Sequence, residues 1–282
     1  MSIRKNDRRL SQTEYDNTYN KIFNYILQKV SRLPKRYQKI LGKSMTDALG
    51  EVLINIENAT VQFHIGKDRS ADRRRNLYDA LKAFNRIITV SYFWWTLPSN
   101  KNEIRPISQR QRNYWSESVN KSVALITGVL KTIDKNFDQQ EVDIPHMYSI
   151  SKAEINSVQF LKYISGSLSI MNRCAIKYQQ KYENPRIYQT INRLADALKY
   201  AIDGNKRGFD GSLSDYKKRY DYFNKAIGNL KAIQQDILRL SWEYMFSEEE
   251  LKTLATNIDS ATKILVTLNR KTKNIIDELK IQ

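Results

Sequence analysis

LPKRYQKILGKSMTDALGEVLINIENA, residues 33–59, decides how the chain is read. A proline opens it, and Lys35, Arg36, Lys39 and Lys43 crowd its first half. Met45, Ala48, Leu49, Val52, Leu53 and Ile56 then recur at helical spacing. Proline is pre-organised for a first helical turn, so the pattern predicts one helix from Pro34 to about Phe63 or Ile65. The apolar stripe demands a core, and the charged start offers cations to a partner.

Working outward, Ser11 with Glu14 makes a capping box ahead of Tyr15, Tyr19, Ile22, Phe23, Ile26, Leu27 and Val30, which predicts a first helix. Downstream, a third helix is expected from about Ala71. It starts with Arg73, Arg74 and Arg75, continues through Leu77, Leu81, Phe84, Ile87 and Ile88, and ends in Tyr92-Phe93-Trp94-Trp95 before Pro98. Ser108 and Gln111 box a fourth helix carrying Trp115, Val119, Val123, Ile126, Val129, Leu130 and Ile133. Four helices with short loops and one apolar face each predict an up-down four-helix bundle over residues 13–135, behind a basic arm over 1–12.

Residues 136–150 are polar, contain Pro145 and lack a helical period, so they read as a linker. A second four-helix bundle is expected over 151–282, with starts at the Ser151/Glu154 box, at Asn184-Pro185, near Leu213 and at the Ser247/Glu250 box. The fold class is therefore all-α: two antiparallel up-down four-helix bundles in tandem. PRIYQTI at 185–191 echoes PKRYQKI at 34–40, and Phe223, Ile227, Leu230 and Ile233 repeat the spacing of Leu77, Leu81, Phe84 and Ile87. Both a degenerate duplication and two bundles of separate origin fit these echoes.

Composition narrows the function classes. The 282 residues carry a net charge of +17 with only 9 Gly and 5 Pro. Residues 1–140 hold 25 Lys and Arg against 13 Asp and Glu, the remainder 22 against 17, so the excess is N-terminal. Such a field steers polyanions toward the protein. No apolar run approaches the roughly 18 residues that would span a bilayer, and the charged start lacks a secretory signal, which predicts a cytoplasmic protein without membrane attachment. Cys174 is the single cysteine, and His64 and His146 lie far apart without a metal-binding partner motif. No glycine-rich phosphate loop and no paired acidic motif occurs. No catalytic residue, metal or cofactor is expected.

The binding candidates are better defined. Lys35, Lys39 and Lys43 would form a stripe at i, i+4 and i+8 on one helix face, with Arg36 beside it. Arg73, Arg74 and Arg75 stand at a helix start, where cations oppose the macrodipole. Arg105, Arg110 and Arg112 form a third group near the start of the fourth helix, and Arg8 and Arg9 lie in the arm. In an antiparallel bundle the starts of the second and fourth helices share an end. Tyr92, Phe93, Trp94 and Trp95 read as core plus an oligomer or partner contact rather than as a base-stacking surface.

At this point residues 13–134 resemble the accessory variability determinant (Avd) family of diversity-generating retroelements. The resemblance is carried by the LP-KR-Y-x3-LG run at Leu33 to Gly42, the amphipathic helix to Asn58-Ala59, the R-x-LYDALKAF helix at Arg75 to Phe84, and the Pro-Ile-Ser start at Pro106 to Ser108. It is also similar to the four-helix proteins encoded in ribosomal RNA intervening sequences. The resemblance implies a non-enzymatic, basic homo-oligomer, a pentamer, that binds a reverse transcriptase and its template RNA and supports cDNA synthesis. The alternative is a structural helical oligomer or adaptor with a protein partner, for example in a phage-defence operon.

Overall fold

The computed structural model describes residues 14–33, 35–38, 42–65, 70–96, 107–137, 143–178, 185–241 and 246–281, and every regular element among them is helical. The longer helices are α1 (Glu14–Ser31), α2 (Lys43–Ile65), α3 (Ser70–Thr96), α4 (Gln109–Ile133), α5 (Gln159–Tyr178), α6 (Pro185–Asn205), α7 (Leu213–Ser241) and α8 (Glu248–Ile281). Short helical pieces at Lys35–Tyr37, Asp134–Asn136 and Lys152–Ser157 lie between them. The chain divides into two compact units, one drawn from 1–91 and 107–149, the other from 92–106 and 150–282.

In the first unit the apolar periodicity becomes burial. Tyr15, Tyr19, Ile22 and Ile26 of α1, Met45, Leu49, Val52 and Ile56 of α2, and Leu77, Leu81, Phe84 and Ile87 of α3 are all buried. Each such side chain contributes about 1.5–3 kcal/mol relative to exposure. Tyr19 joins three helices: its ring meets Phe84 edge-on at 5.6 Å, and its hydroxyl donates to the Leu49 carbonyl at 2.6 Å. Side-chain contacts fix the helix directions. Tyr15 reaches Thr60 while Tyr19 reaches Leu49, so α1 and α2 are antiparallel. Arg86 pairs with Glu51 while Arg73 covers Phe63, so α2 and α3 are antiparallel as well. Arg74 meets Asp134, at the far end of α4, and Ser91 and Ser116 both meet Met147. Hence α3 and α4 are antiparallel too. The end of α1 and the starts of α2 and α4 therefore share one end of this unit.

The expected single helix from Pro34 to about Phe63 is described in two parts, Lys35–Tyr37 and α2, with residues 39–41 outside the described residues. After the turn Lys35–Tyr37, Gln38 and Gly42 have π geometry, and α2 starts at Lys43. Both residues make close local contacts. The Gln38 side-chain amide donates to the carbonyls of Leu33 and Ser31, at 2.7 and 3.2 Å, closing the α1 exit. A Cβ on Gly42 would press on Val30 at 3.2 Å, so glycine lets the two segments approach.

The expected linker is also more structured than its composition suggests. One face of α4 holds its described part: Ser116 and Asn120 donate to the Met147 carbonyl at 2.5 and 3.0 Å, and Asn120 accepts from the Met147 amide at 2.9 Å. Ser149 donates to Asn113 at 2.8 Å.

In the second unit α5 to α8 form a closed ring in which each helix packs against the next and α8 returns to α5. Phe223 lies where a Cβ on Gly204 would sit, 2.6 Å away, which seats α7 closely on α6. The Ser151/Glu154 box is present, but it caps only Lys152–Ser157; the chain turns extended at Val158 before α5 begins. Charged groups enter this interior in pairs. Lys199 and Asp203 meet at 2.8 Å, both almost fully buried, and Arg193 pairs with the buried Asp236. The Cys174 thiol is pushed up to about 12 by burial, and next by the Glu250 carboxylate. It is a core residue without thiolate character.

Candidate nucleic-acid interface

Local capping positions the first cations. The α4 start is held by a complete capping box: the Gln111 amide donates to the Ser108 hydroxyl at 3.2 Å, and the Ser108 amide donates to Gln111 Oε1 at 2.9 Å. That fixes Arg110, one residue into the helix, on an exposed face. Lys35 is likewise exposed, while Tyr37 and Leu33 are buried beside it.

At this end of the first unit the exposed cations Arg32, Lys35, Lys43 and Arg110 are joined by the half-buried Lys29. No Asp or Glu occurs from Asn17 to Thr46 or from Ile107 to Ser116, whereas these stretches carry nine Lys and Arg. Beyond them Asp47 is exposed one turn into α2, and a mainly cationic surface set on helix ends suits a row of phosphates. Gln38 and Gly42 have π geometry, which shifts Lys35 and Lys43 off the α-register of one straight stripe. What they have in common is the same end of the unit. Lys39 and the Arg36 side chain lie outside the described residues, as do Arg8, Arg9 and Arg105.

The arginine run at the opposite end is used differently. Arg73 is buried, its guanidinium 4.3 Å from the centre of the Phe63 ring. Arg74 donates to Asp134 at 2.5 Å, beside the Tyr78 hydroxyl, which donates to the other carboxylate oxygen at 2.6 Å. That hydrogen bond raises the Arg74 guanidinium further above its ordinary value. Arg75 is open to solvent, with Asp72 at 3.5 Å. Arg112, grouped by sequence with Arg110, is instead fully buried, and its Nη2 donates to the Tyr148 carbonyl at 2.8 Å.

Of the aromatic run, Tyr92, Trp94 and Trp95 are buried, and the Phe93 side chain lies outside the described residues. Trp95 lines a groove of about 390 Å³ in the second unit, together with Lys152, Ile155, Lys162, Tyr163 and Asn257.

Sequence reasoning passed over two features. Arg112, Ser116 and Asn120 form a clamp on residues 147 and 148, and their spacing of four among apolar neighbours was the available signal. Tyr25 and Tyr114, which meet near the basic end, stand in separate helices, and no local pattern links them. Among the described residues no group of three His, Cys, Asp or Glu side chains could hold a metal ion, and no helix is long and apolar enough to cross a membrane. No family model, curated relative or solved structure matches the chain.

Proposed function

We propose that the chain is a non-catalytic nucleic-acid-binding accessory protein that holds the template RNA of a reverse transcriptase, binds that enzyme, and supports cDNA synthesis as a cytoplasmic homo-oligomer. The observation that carries the RNA part is the carboxylate-poor end of the first unit, which holds Lys29, Arg32, Lys35, Lys43 and Arg110 with Asp47 one turn into α2. The polymerase partner and the pentameric state rest on the resemblance of residues 13–134 to the Avd family.

Binding of this kind is driven by counterion release. With five described cations at that end and about −0.7 per neutralised phosphate on single strands, log K against log salt should fall with a slope of roughly −3 or steeper. Titration of RNA at several salt concentrations measures it, and a flat response rejects the RNA reading. Retention of a co-expressed reverse transcriptase on the tagged protein after nuclease treatment tests the enzyme contact separately.

A second reading, a structural adaptor for a protein partner, is favoured by Ile54 and Val61, both more than half exposed and seven residues apart on α2. Under that reading the protein purifies free of nucleic acid, and Ile54→Lys with Val61→Lys abolishes partner retention.

A further inference from the structure

Tyr25 of α1 and Tyr114 of α4 meet with ring centres 4.9 Å apart and planes at 63°, in the first unit. Tyr114 is 44% exposed, the most open of the aromatic side chains in the described helices of that unit. Lys29 stands one turn after Tyr25, with Nζ 5.5 Å from the centre of its ring, and Arg110 stands one turn before Tyr114. Because α1 and α4 are antiparallel, Lys29 and Arg110 lie on the same side of the tyrosine pair, toward the basic end. Lys21 is exposed on its other side, four residues before Tyr25. The nearest carboxylate on α4 is Glu117, one turn further from that end, and on α1 it is Asp16, nine residues from Tyr25.

An edge-to-face contact fixes one ring against the other and leaves a face of the outer ring open. An aromatic face held rigid between cations is the arrangement with which proteins take up unpaired nucleotides: bases stack on the ring while the phosphates lie on the flanking charges. A duplex offers the same phosphates but keeps its bases stacked on one another. Cations alone would therefore not tell the two apart, and the tyrosine pair would.

We infer that Tyr25 and Tyr114 form a base-stacking platform that makes this end selective for single-stranded nucleic acid, with Arg110, Lys29 and Lys21 holding the adjoining phosphates. This rests on the RNA-binding reading above and specifies which form of RNA it takes.

The test compares a single-stranded RNA of about 16 nucleotides with the duplex of the same sequence. The full chain is used as wild type, Tyr114→Leu and Tyr114→Trp, with binding followed by fluorescence anisotropy at several salt concentrations. Leucine keeps apolar bulk against Tyr25, and circular dichroism checks that the helices are intact. Loss of one stacked base weakens single-strand binding on the order of tenfold in Tyr114→Leu, while the tryptophan variant keeps it. Duplex binding changes less than about twofold, and the salt slope is the same in all three because no charge is removed. Equal losses on both forms, or no loss on the single strand, overturn the platform while leaving a salt-dependent wild type intact. A wild type that binds neither form overturns the RNA reading and the platform with it.

Discussion

Where α3 begins, Arg74 lies 2.5 Å from Asp134 and Arg73 is sunk against Phe63; where α2 and α4 begin, Lys35, Lys43 and Arg110 stand exposed, and the adjoining sequence is poor in carboxylates, with Asp47 one turn after Lys43. Both ends of the first unit are rich in cations, and the two sets are spent differently. At the α3 start the guanidinium groups join α3 to the end of α4 and cover an aromatic ring, so they build the fold. At the other end nothing within the described residues absorbs the charge. A cation placed against the macrodipole at a helix start costs up to about 1 kcal/mol unless something offsets it. Arg74 is offset by Asp134. Arg110 and Lys43, at the starts of α4 and α2, are the cations that the proposed RNA contact would offset.

That contrast predicts two kinds of mutational response. Arg112→Ala should give the largest effect, about 3 kcal/mol of lost stability, because it opens a cavity and strands the Tyr148 carbonyl. Chemical denaturation reads it out, and a change within about 0.5 kcal/mol would return Arg112 to the exposed group. Arg74→Met should cost roughly 2 kcal/mol, the scale of a hydrogen bond to a charged group. Asp134→Asn should recover part of that loss in the double variant.

The second unit supplies a reference for stability away from the proposed RNA-binding end. Ser247→Ala removes the α8 cap and should cost about 1 kcal/mol. Glu250 accepts from the Ser247 amide at 3.0 Å, which holds its carboxyl below the ordinary value. A depressed carboxyl stabilises the fold above its unfolded pKa, so this contribution is present at neutral pH. It declines as pH falls through the ordinary value of 4.5 toward the lower folded one, and Glu250→Gln should flatten that decline in an acid titration followed by circular dichroism. The smallest stability effects belong to the basic end: Lys35→Gln and Lys43→Gln should each change unfolding by no more than about 0.5 kcal/mol. Each should nevertheless reduce the salt slope of RNA binding by about 1.

Periodicity made the helices legible. The apolar positions of α1 to α4 are buried almost as spaced, and the Ser108, Ser151 and Ser247 capping boxes all form. What escaped depends on contacts between segments distant in sequence. The π geometry at Gln38 and Gly42 accompanies Gln38 folding back on the α1 exit and Gly42 lying against Val30, and neither contact leaves a trace in hydrophobic spacing. Arg110 and Arg112 are two residues apart and chemically alike, yet a helix turns roughly 200° between them, sending one outward and the other under residues 147–148. Charge type located the basic end; only the helix phase separated exposed cations from buried structural ones.

Which end binds RNA can be read from RNA affinity against salt for two multiple charge reversals of equal size. One changes Lys29, Arg32, Lys35 and Arg110 to Glu; the other changes Arg75, Lys82, Lys131 and Lys135, which are exposed elsewhere on the same unit. The account predicts that the first set lowers affinity by at least about a hundredfold and flattens the salt slope by roughly 3, while the second leaves the slope within about 1 of wild type. Equal losses from the two sets, or the larger loss from the second, would contradict it.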